Sequence, residues 1–267
     1  MTTPPCTSPG TPLARVVAVV PAHDEADRLG RCLDALDRAV ATARTAGLAA
    51  RVVVVLDACT DGSAARVAAR RGTFVVHGRW RRVGAARAAG CAAALRDAAA
   101  HGTGPAATWL ACTDADSTVP FDWLTHHARL ADRGADAVRG TVVVDDWTAW
   151  PAAVEAAHRA GHRADERHPH VHGANLGVRG SAYLAAGGFA PVASHEDVGL
   201  VAALHATGAR VVATGCAAVR TSGRAAGRAP DGFSAHLRRL AHGASAGPLL
   251  GPSAGPSDPG LAPADGA

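Results

Sequence analysis

The chain has 267 residues, of which 48% are hydrophobic, so it can bury the core of one large domain or of two small ones. Its formal net charge is only +4, and its basic side chains, all arginine or histidine, are scattered, which excludes a nucleic-acid-binding stripe. The six cysteines are far apart and include no Cys-x-x-Cys pair, so neither a zinc site built on cysteine nor a disulfide framework is indicated.

The two ends of the sequence differ in composition from its centre. Residues 1–14 and 241–267 are rich in small and polar residues and in proline, and we predict that they are disordered tails around one domain at 15–240. No uncharged apolar run approaches the ~20 residues that span a bilayer. The N-terminus lacks a basic start followed by an apolar segment, so no secretory signal is predicted. We therefore expect a soluble, cytoplasmic protein.

The first predicted unit is a strand followed by a helix. Arg15 to Val20 is a β-branched run whose continuity indicates burial on both faces, as in a parallel sheet. The run ends at Pro21-Ala-His-Asp-Glu25, where Asp24 is placed to cap the following helix. The apolar residues of that helix recur at helical spacing, at Leu29, Leu33, Leu36 and Val40.

The same order of strand, polar turn and helix then repeats. Arg51 to Leu56 is a second apolar run, which ends in Asp57-Ala-Cys-Thr-Asp61-Gly-Ser, and Thr73 to Val76 is a third strand. Such repeats predict βαβ units with right-handed crossovers. Because ligands bind at the carboxyl ends of the strands in these sheets, we expect Asp57 and Asp61 to face a common crevice.

An alanine-rich helix that starts near Arg81 carries Gly84 and Arg87 close to its beginning. There, Arg87 could meet a phosphate group at the positive end of the helix dipole; the alternative is an exposed arginine on a helix surface. Gly-x-Gly-x-x-Gly is absent after the first strand, and so is a Gly-x-x-x-x-Gly-Lys loop. Two common nucleotide-binding classes are therefore disfavoured.

The next strand ends in an acidic turn. Trp109-Leu-Ala-Cys is a short apolar run that leads into Thr113-Asp-Ala-Asp-Ser117. Asp114 and Asp116 are two residues apart, a spacing that suits two oxygen ligands of a hard cation such as Mg²⁺ or Mn²⁺. The alternative is a solvated turn, since aspartate and serine favour turns for local reasons.

The second half contains a histidine-rich stretch. Trp123 is predicted to begin a helix, and Ala137 to Val144 is predicted to be a strand. In the stretch from His158 to His172, the residues His168, His170 and His172 alternate, so on a strand they would share a face and could bind a metal. We favour a surface loop that enters an acceptor pocket.

Two polar features follow. Asn175 is the only asparagine of the chain, which indicates either a specific hydrogen-bonded or sugar-binding role or an ordinary turn. Glu196 and Asp197 are either N-caps of a helix that begins near Val198 or a catalytic base. Two further strands are predicted, at Arg210–Ala213 and Ala217–Arg220.

Taken in order, these stretches resemble the family-2 glycosyltransferases between about Arg15 and Leu240. The blocks are Val-Val-Pro-Ala-His-Asp-Glu25, Val-Leu-Asp57-Ala-Cys-Thr-Asp61-Gly-Ser, Val-Gly-Ala-Ala-Arg87, Thr-Asp114-Ala-Asp116-Ser, His-Gly-Ala-Asn-Leu-Gly177 and His-Glu196-Asp197. Each block is weak alone, and six in family order are a strong indication. The resemblance implies a GT-A fold, an α/β Rossmann-like sandwich with a central, mostly parallel sheet and helices on both faces.

The resemblance also implies an inverting transfer from a UDP- or GDP-sugar to an acceptor hydroxyl, assisted by a divalent metal, Mg²⁺ or Mn²⁺. Asp116, with Asp114, matches the metal-binding motif, and Asp197 matches the general base, with Glu196 as the second catalytic candidate. The implied donor-binding residues are Pro21, Ala22, Glu25, Asp57, Asp61, Arg87 and Asp114. The predicted acceptor contacts are His172, Gly173 and Asn175. In some relatives a downstream histidine completes the metal site, but Thr221-Ser-Gly-Arg224 contains none.

Two other functions compete with this one. A nucleotidyltransferase could use a related fold to make a nucleotide-sugar, but the sequence lacks the glycine-rich, lysine-containing phosphate loop of that class. A catalytically silent binding module could keep the GT-A fold, although Asp114, Asp116 and Asp197 are all present. The sequence does not specify the donor sugar, the nucleobase, the acceptor or the oligomeric state.

Overall fold

A seven-stranded sheet forms the centre of the computed structural model, which describes residues 11–227 and 232–245. Its strands are β1 (Arg15–Ala22), β2 (Ala49–Asp57), β3 (Thr73–Gly78), β4 (Thr108–Cys112), β5 (Ala137–Val144), β6 (Leu176–Arg179) and β7 (Val211–Thr221). They pair in the order β3-β2-β1-β4-β6-β5-β7. Only β6 is antiparallel to its neighbours, so the predicted mostly parallel α/β sheet is confirmed.

Helices cover both faces of this sheet. They are α1 (Ala26–Thr45), α2 (Ser63–Ala68), α3 (Val83–Ala100), α4 (Trp123–Asp132), α5 (Ala152–Gly161), α6 (Gly180–Ala185), α7 (Glu196–Ala206) and α8 (Phe233–Ser245). Alternate residues of β1 enter two separate cores: Val16 and Val20 pack with α1 and α4, whereas Val17 and Val19 pack with α3 and α7. This alternation explains the continuous apolar run, because both faces of the strand are buried.

Some predicted elements change in detail. The two strands predicted at 210–220 are one strand, β7. The short segment Gly140 to Val142 of β5 lies opposite the longer segment Thr214 to Val219 of β7, so β7 bulges. The bulge contains Ala217, whose φ of +54° interrupts the extended backbone between the two predicted strands. Sequence reasoning missed β6, which is only four residues long and contains a glycine. It also missed α5, α6 and α8.

The predicted domain boundaries also shift. Leu13 is nearly buried, and Ala14 N donates to Ala107 O, so residues just before 15 pack on the fold. Helix α8 continues to Ser245, five residues beyond the predicted end of the domain at 240, because its apolar face with the buried Leu237 holds it on the domain. The rest of the predicted tails, 1–10 and 246–267, lies outside the described residues. Within the described residues, no helix is both long and apolar enough to cross a membrane.

The start of α1 corrects another expectation. Asp24 does not cap this helix, since its φ of +51° turns it away and its carboxylate accepts hydrogen bonds from Thr60 N and Asp61 N. The helix N-cap position is Glu25. Ala26 N instead donates to Asp61 Oδ2, so an aspartate from the neighbouring loop takes the place expected for Asp24.

Candidate active site

The carboxyl ends of β1, β2 and β4 open into a cavity of about 610 Å³, as the βαβ pattern predicts. The beginnings of α3 and α7, the loop before β6 and the segment after β7 complete its wall. Eleven of the thirteen predicted site residues line it. They are Pro21, Ala22, Glu25, Asp57, Arg87, Asp114, Asp116, His172, Gly173, Glu196 and Asp197. The two that do not line it are Asp61 and Asn175.

Arg87 joins two parts of the cavity that are far apart in the sequence. Arg87 lies near the start of α3, and its buried guanidinium donates to Glu196 Oε1 and to Asp114 Oδ1. Burial opposes the charged form of Arg87, but the charges of Asp114 and Glu196 outweigh burial and raise its pKa. The alternative of an exposed helical arginine is therefore wrong. Because Arg87 is paired on both sides, it fixes the acidic turn after β4 relative to the start of α7.

Glu196 and Asp197 have different surroundings. Glu196 is buried against Arg87; burial raises its pKa, Arg87 opposes the rise, and the charge of Asp197 adds to it. Asp197 is partly exposed, and its carboxylate accepts from Gly173 N at 2.7 Å and from Val198 N at 2.8 Å. Neither residue is the cap of α7, because the helix begins at Glu196 and its N-cap position is His195, in left-handed conformation. Asp197 therefore has the more accessible carboxylate.

A second arginine, Arg224, occupies the side of the cavity next to the acidic turn. It donates to both carboxylate oxygens of Glu25, at 2.8 and 2.6 Å, and lies 3.1 Å from Asp116 Oδ2. Burial raises the pKa of Asp116 to about 6; Arg224 opposes the rise, and Asp114 and Glu25 add to it. Sequence reasoning did not assign Arg224 to the site, although it noted that this segment lacks the histidine of some relatives. The arginine in that segment was the sequence feature that could have identified it as a site residue.

The two aspartates after β2 differ from each other. Asp57 is buried and accepts from Trp80 N at 2.6 Å and Arg82 N at 3.3 Å, so it shapes the loop that leads into α3. Asp61 lies outside the cavity lining and accepts from Ala26 N and Ser63 N, each at 2.9 Å. We therefore assign Asp61 a structural role, at the starts of α1 and α2, instead of the donor contact predicted.

Asn175 is committed to the core instead of the cavity. Burial lowers the pKa of His127 to about 3, so its neutral ring accepts from Trp109 Nε1 and donates from Nε2 to Asn175 Oδ1. Trp123 Nε1 also donates to that oxygen, and Asn175 Nδ2 donates to Thr141 O and Ala217 O. These contacts tie α4 to β5 and to the bulge of β7. They replace the predicted acceptor contact with a structural role.

Residues 162–172 of the histidine-rich stretch form a loop, as favoured, and not a strand, whereas His158 lies in α5. His162, His170 and His172 line the cavity, whereas His168 is buried beside them and does not. Burial lowers the pKa of His172 to about 3, with neighbouring histidines contributing to the shift, so its ring is neutral. The structure therefore groups His162 with His170 and His172, in place of the predicted His168.

The family model for Glycosyl transferase family 2 matches residues 17–176, which is more than half of the chain. The chain belongs to this family. The match confirms the resemblance inferred from the six sequence blocks. Glycosyltransferase activity is the general property of the members of this family. A search among curated proteins finds no relative that matches this family-2 chain.

Solved structures support the fold of this family-2 member. TarS of S. aureus, residues 1–349, in complex with UDP, is 15% identical with a TM-score of 0.58, and the alignment covers 89% of this chain and 67% of TarS. The mannosyltransferase PcManGT from Pyrobaculum calidifontis, in complex with GDP-Man and Mn²⁺, is 21% identical with a TM-score of 0.55, covering 93% and 80%. Glucosyl-3-phosphoglycerate synthase from Mycobacterium tuberculosis, with Mn²⁺, UDP and phosphoglyceric acid, is 15% identical with a TM-score of 0.52, covering 79% and 71%. These neighbours establish the GT-A fold.

The charges of the cavity suit a divalent cation in this family-2 domain. Among the described residues that line it, six carboxylates outnumber four arginines. Glu25, Asp114 and Asp116 lie close enough for their charges to act on one another. Their oxygens are hard ligands of the kind that Mg²⁺ and Mn²⁺ prefer. The donor set therefore fits the metal that the family resemblance implies.

Gly173 shows why the block around it needs glycine. A Cβ at this position would overlap the guanidinium of Arg87. We expect Gly173→Ala to displace Arg87 and lower the free energy of unfolding by ~1–3 kcal/mol, the usual cost of overpacking. Gly199→Ala, in α7, is the matched control, because a Cβ there meets nothing within 4 Å. The control should gain up to ~1 kcal/mol from helix propensity. Urea denaturation measures both, and equal stability of the two variants would contradict the close contact.

Proposed function

We propose that this chain is an inverting, metal-assisted glycosyltransferase that moves a sugar from a UDP- or GDP-sugar to an acceptor hydroxyl. The observation that carries the proposal is the Arg87 bridge, which joins Asp114 of the acidic turn to the Glu196–Asp197 pair. The bridge brings the candidate metal ligands and the candidate base into one cavity. A displacement at an anomeric carbon needs a base on the side of the acceptor and positive charge on the side of the leaving diphosphate.

The donor side is assigned to the turns after β1, β2 and β4. Pro21, Ala22 and Asp57 would line the nucleoside, with Asp57 also holding the loop that leads into α3. Asp116, with Asp114, would hold the divalent cation next to the diphosphate. When bound, the cation offsets the negative charge that develops on the departing nucleoside diphosphate. Arg87 and Arg224 carry fixed positive charge to the same side of the cavity and stabilise the same leaving group.

Asp197 is assigned as the general base. It accepts the proton of the acceptor hydroxyl while that oxygen forms a bond to the anomeric carbon and the bond to the diphosphate oxygen breaks. One displacement inverts the anomeric centre and leaves no covalent intermediate on the protein. Glu196 is less suited to this role, since its Oε1 accepts from Arg87 and its side chain is buried.

The acceptor side is assigned to the loop that carries His172 and Gly173. Gly173 N donates to Asp197 Oδ2, so the loop and the base hold each other in place. An acceptor that enters along this loop meets the accessible carboxylate of Asp197. The hydrogen bond uses one lone pair of that oxygen and leaves a second for the acceptor hydroxyl.

Calorimetric titration with UDP and with GDP tests the donor assignment. We expect one of the two nucleotides to bind weakly in EDTA and at least tenfold more tightly with Mn²⁺. Asp116→Asn removes a charged ligand and should abolish most of the gain from Mn²⁺. Asp132→Asn, at the exposed end of α4, is the matched control and should behave as the wild type. Equal affinity with EDTA and with Mn²⁺ would eliminate the metal assignment.

A further inference from the structure

Three histidines on one side of the cavity form a compact group, the histidine trio of His162, His170 and His172. One ring nitrogen of each lies within 4.8 Å of one ring nitrogen of the other two. The rings of His162 and His170 stack with centroids 4.6 Å apart, and those of His170 and His172 lie 5.7 Å apart. All three line the cavity, so the trio is reached from the same opening as the donor site.

Few hydrogen bonds occupy the ring nitrogens of the trio. His162 Nε2 and His172 Nε2 are buried and have no hydrogen-bond partner among the residues that the structure describes. Buried polar atoms are nearly always paired in native proteins, so two unpaired nitrogens in one group call for an explanation. His170 Nε2 accepts from Arg163 N at 3.1 Å, and this single hydrogen bond is what binding through that nitrogen would displace.

The surroundings of the trio are aromatic. His158 stacks on His162 with centroids 5.1 Å apart, and the ring of Phe233 packs edge-on against His158 and His172. Neither a carboxylate nor a thiol belongs to this group within the described part of the chain. The rings thus present three imidazoles on a backing of other rings, with the cavity on the open side.

We propose that the histidine trio is a second metal site, which binds a borderline transition-metal cation such as Zn²⁺ and leaves a fourth coordination position open to the cavity. Imidazole suits Zn²⁺, whereas carboxylates suit Mg²⁺ and Mn²⁺, so the trio and the Asp114/Asp116 pair select different cations. Tetrahedral Zn–N bonds of ~2.0–2.1 Å place the nitrogens roughly 3.3 Å apart. The trio therefore closes by at most about 1.5 Å from the 4.8 Å limit, which ring rotation on a loop can supply.

The position of the trio suggests what the open coordination site faces. His172 precedes Gly173, whose N–H donates to Asp197, so the trio lies beside the candidate base. A bound cation there would face an oxygen group of the acceptor, and this part rests on the proposed function. Metal binding itself does not rest on it, because the trio shares no ligand with the Asp114/Asp116 pair.

Visible absorption of Co²⁺, used as a probe for Zn²⁺, tests the proposal on the full chain without a histidine tag. We expect one Co²⁺ per chain with the intense d–d bands of a four-coordinate ion, displaced by one equivalent of Zn²⁺ and not by excess Mg²⁺. The double variant His162→Gln/His170→Gln should lose these bands. Its matched control, His101→Gln/His205→Gln, changes two exposed histidines elsewhere and should keep them.

Three further measurements make the outcome decisive. Asp114→Asn/Asp116→Asn should keep the Co²⁺ bands, which separates failure of the trio from failure of the donor site. If the double variant does not fold, as judged by circular dichroism, the single variant His170→Gln replaces it and should bind Co²⁺ at least tenfold more weakly. A thiolate-to-cobalt band would show a cysteine ligand, which the trio lacks; among the described residues the candidate group is then Asp24, Cys59 and Asp61. The proposal is overturned by that band, by an absence of four-coordinate bands in the wild type, or by survival of these bands in the trio variants.

Discussion

Asp197→Asn should lower kcat by ~10²–10⁴-fold while donor binding stays within about twofold of the wild type. The amide keeps the shape of the side chain and can still accept from Gly173 N, but it cannot take the proton of an acceptor hydroxyl. The substitution removes only the hydrogen bond from Val198 N, so the free energy of unfolding should fall by no more than about 1 kcal/mol. Steady-state turnover and nucleotide titration, measured on the same preparation, separate these effects.

Glu196→Gln is the informative comparison for that variant. Glu196 pairs with Arg87 in a buried position, so its replacement should reduce stability along with turnover. Asp132→Asn controls for a change of charge alone and should leave both quantities unchanged. Near-normal turnover of Asp197→Asn, together with a large loss of kcat but normal stability in Glu196→Gln, would move the role of base to Glu196.

Arg87→Met should cost ~3–5 kcal/mol in the free energy of unfolding, because it leaves Glu196 buried without its cation. For a chain of this size the destabilisation corresponds to a fall of ~10 °C in Tm. Asp114 would also be left without its arginine, so binding of the diphosphate should weaken. Chemical denaturation gives the stability, and calorimetry with the nucleotide gives the affinity.

Arg15→Met is the matched control for the Arg87 prediction. Arg15 is also a buried arginine and pairs with Asp97, but Asp97 keeps a second partner, Arg51, at 2.6 Å. Replacing Arg15 should therefore cost much less than replacing Arg87. The double variant Arg87→Met/Glu196→Gln should recover part of the stability, since the buried charge is then gone. Equal destabilisation by Arg87→Met and Arg15→Met would contradict the importance of the Arg87 bridge.

The layout of the site follows from patterns that are local in the sequence. Continuous apolar runs at β1, β2 and β4 identify buried parallel strands, and the rule for their carboxyl ends then brings Asp57, Asp114 and Asp116 to one edge. These inferences need only the periodicity of each segment and the connection between neighbouring segments. The structure confirms all three strands, and it places the three aspartates in the wall of one cavity.

The roles of single side chains depend on contacts between distant segments. Arg224 pairs with Glu25 across 199 positions, and no local pattern specifies that contact. Asp24 has a residue type that favours a helix cap, but Asp61 from the neighbouring loop bonds Ala26 N instead. The amide of Asn175, the only asparagine of the chain, makes four hydrogen bonds in the core and does not face the cavity. The rarity of asparagine left a specific role and an ordinary turn as alternatives, and only the contacts between distant segments decide between them.

The release of UDP or GDP from a panel of nucleotide-sugars, incubated with Mn²⁺ and a mixture of hydroxyl acceptors and followed by chromatography, tests the central claim most directly. We predict that at least one donor yields the free nucleoside diphosphate and a glycoside of inverted anomeric configuration, and that Asp116→Asn and Asp197→Asn both suppress this reaction. Formation of pyrophosphate from a nucleoside triphosphate and a sugar phosphate, with no diphosphate released from any nucleotide-sugar, would contradict the account and identify a nucleotidyltransferase.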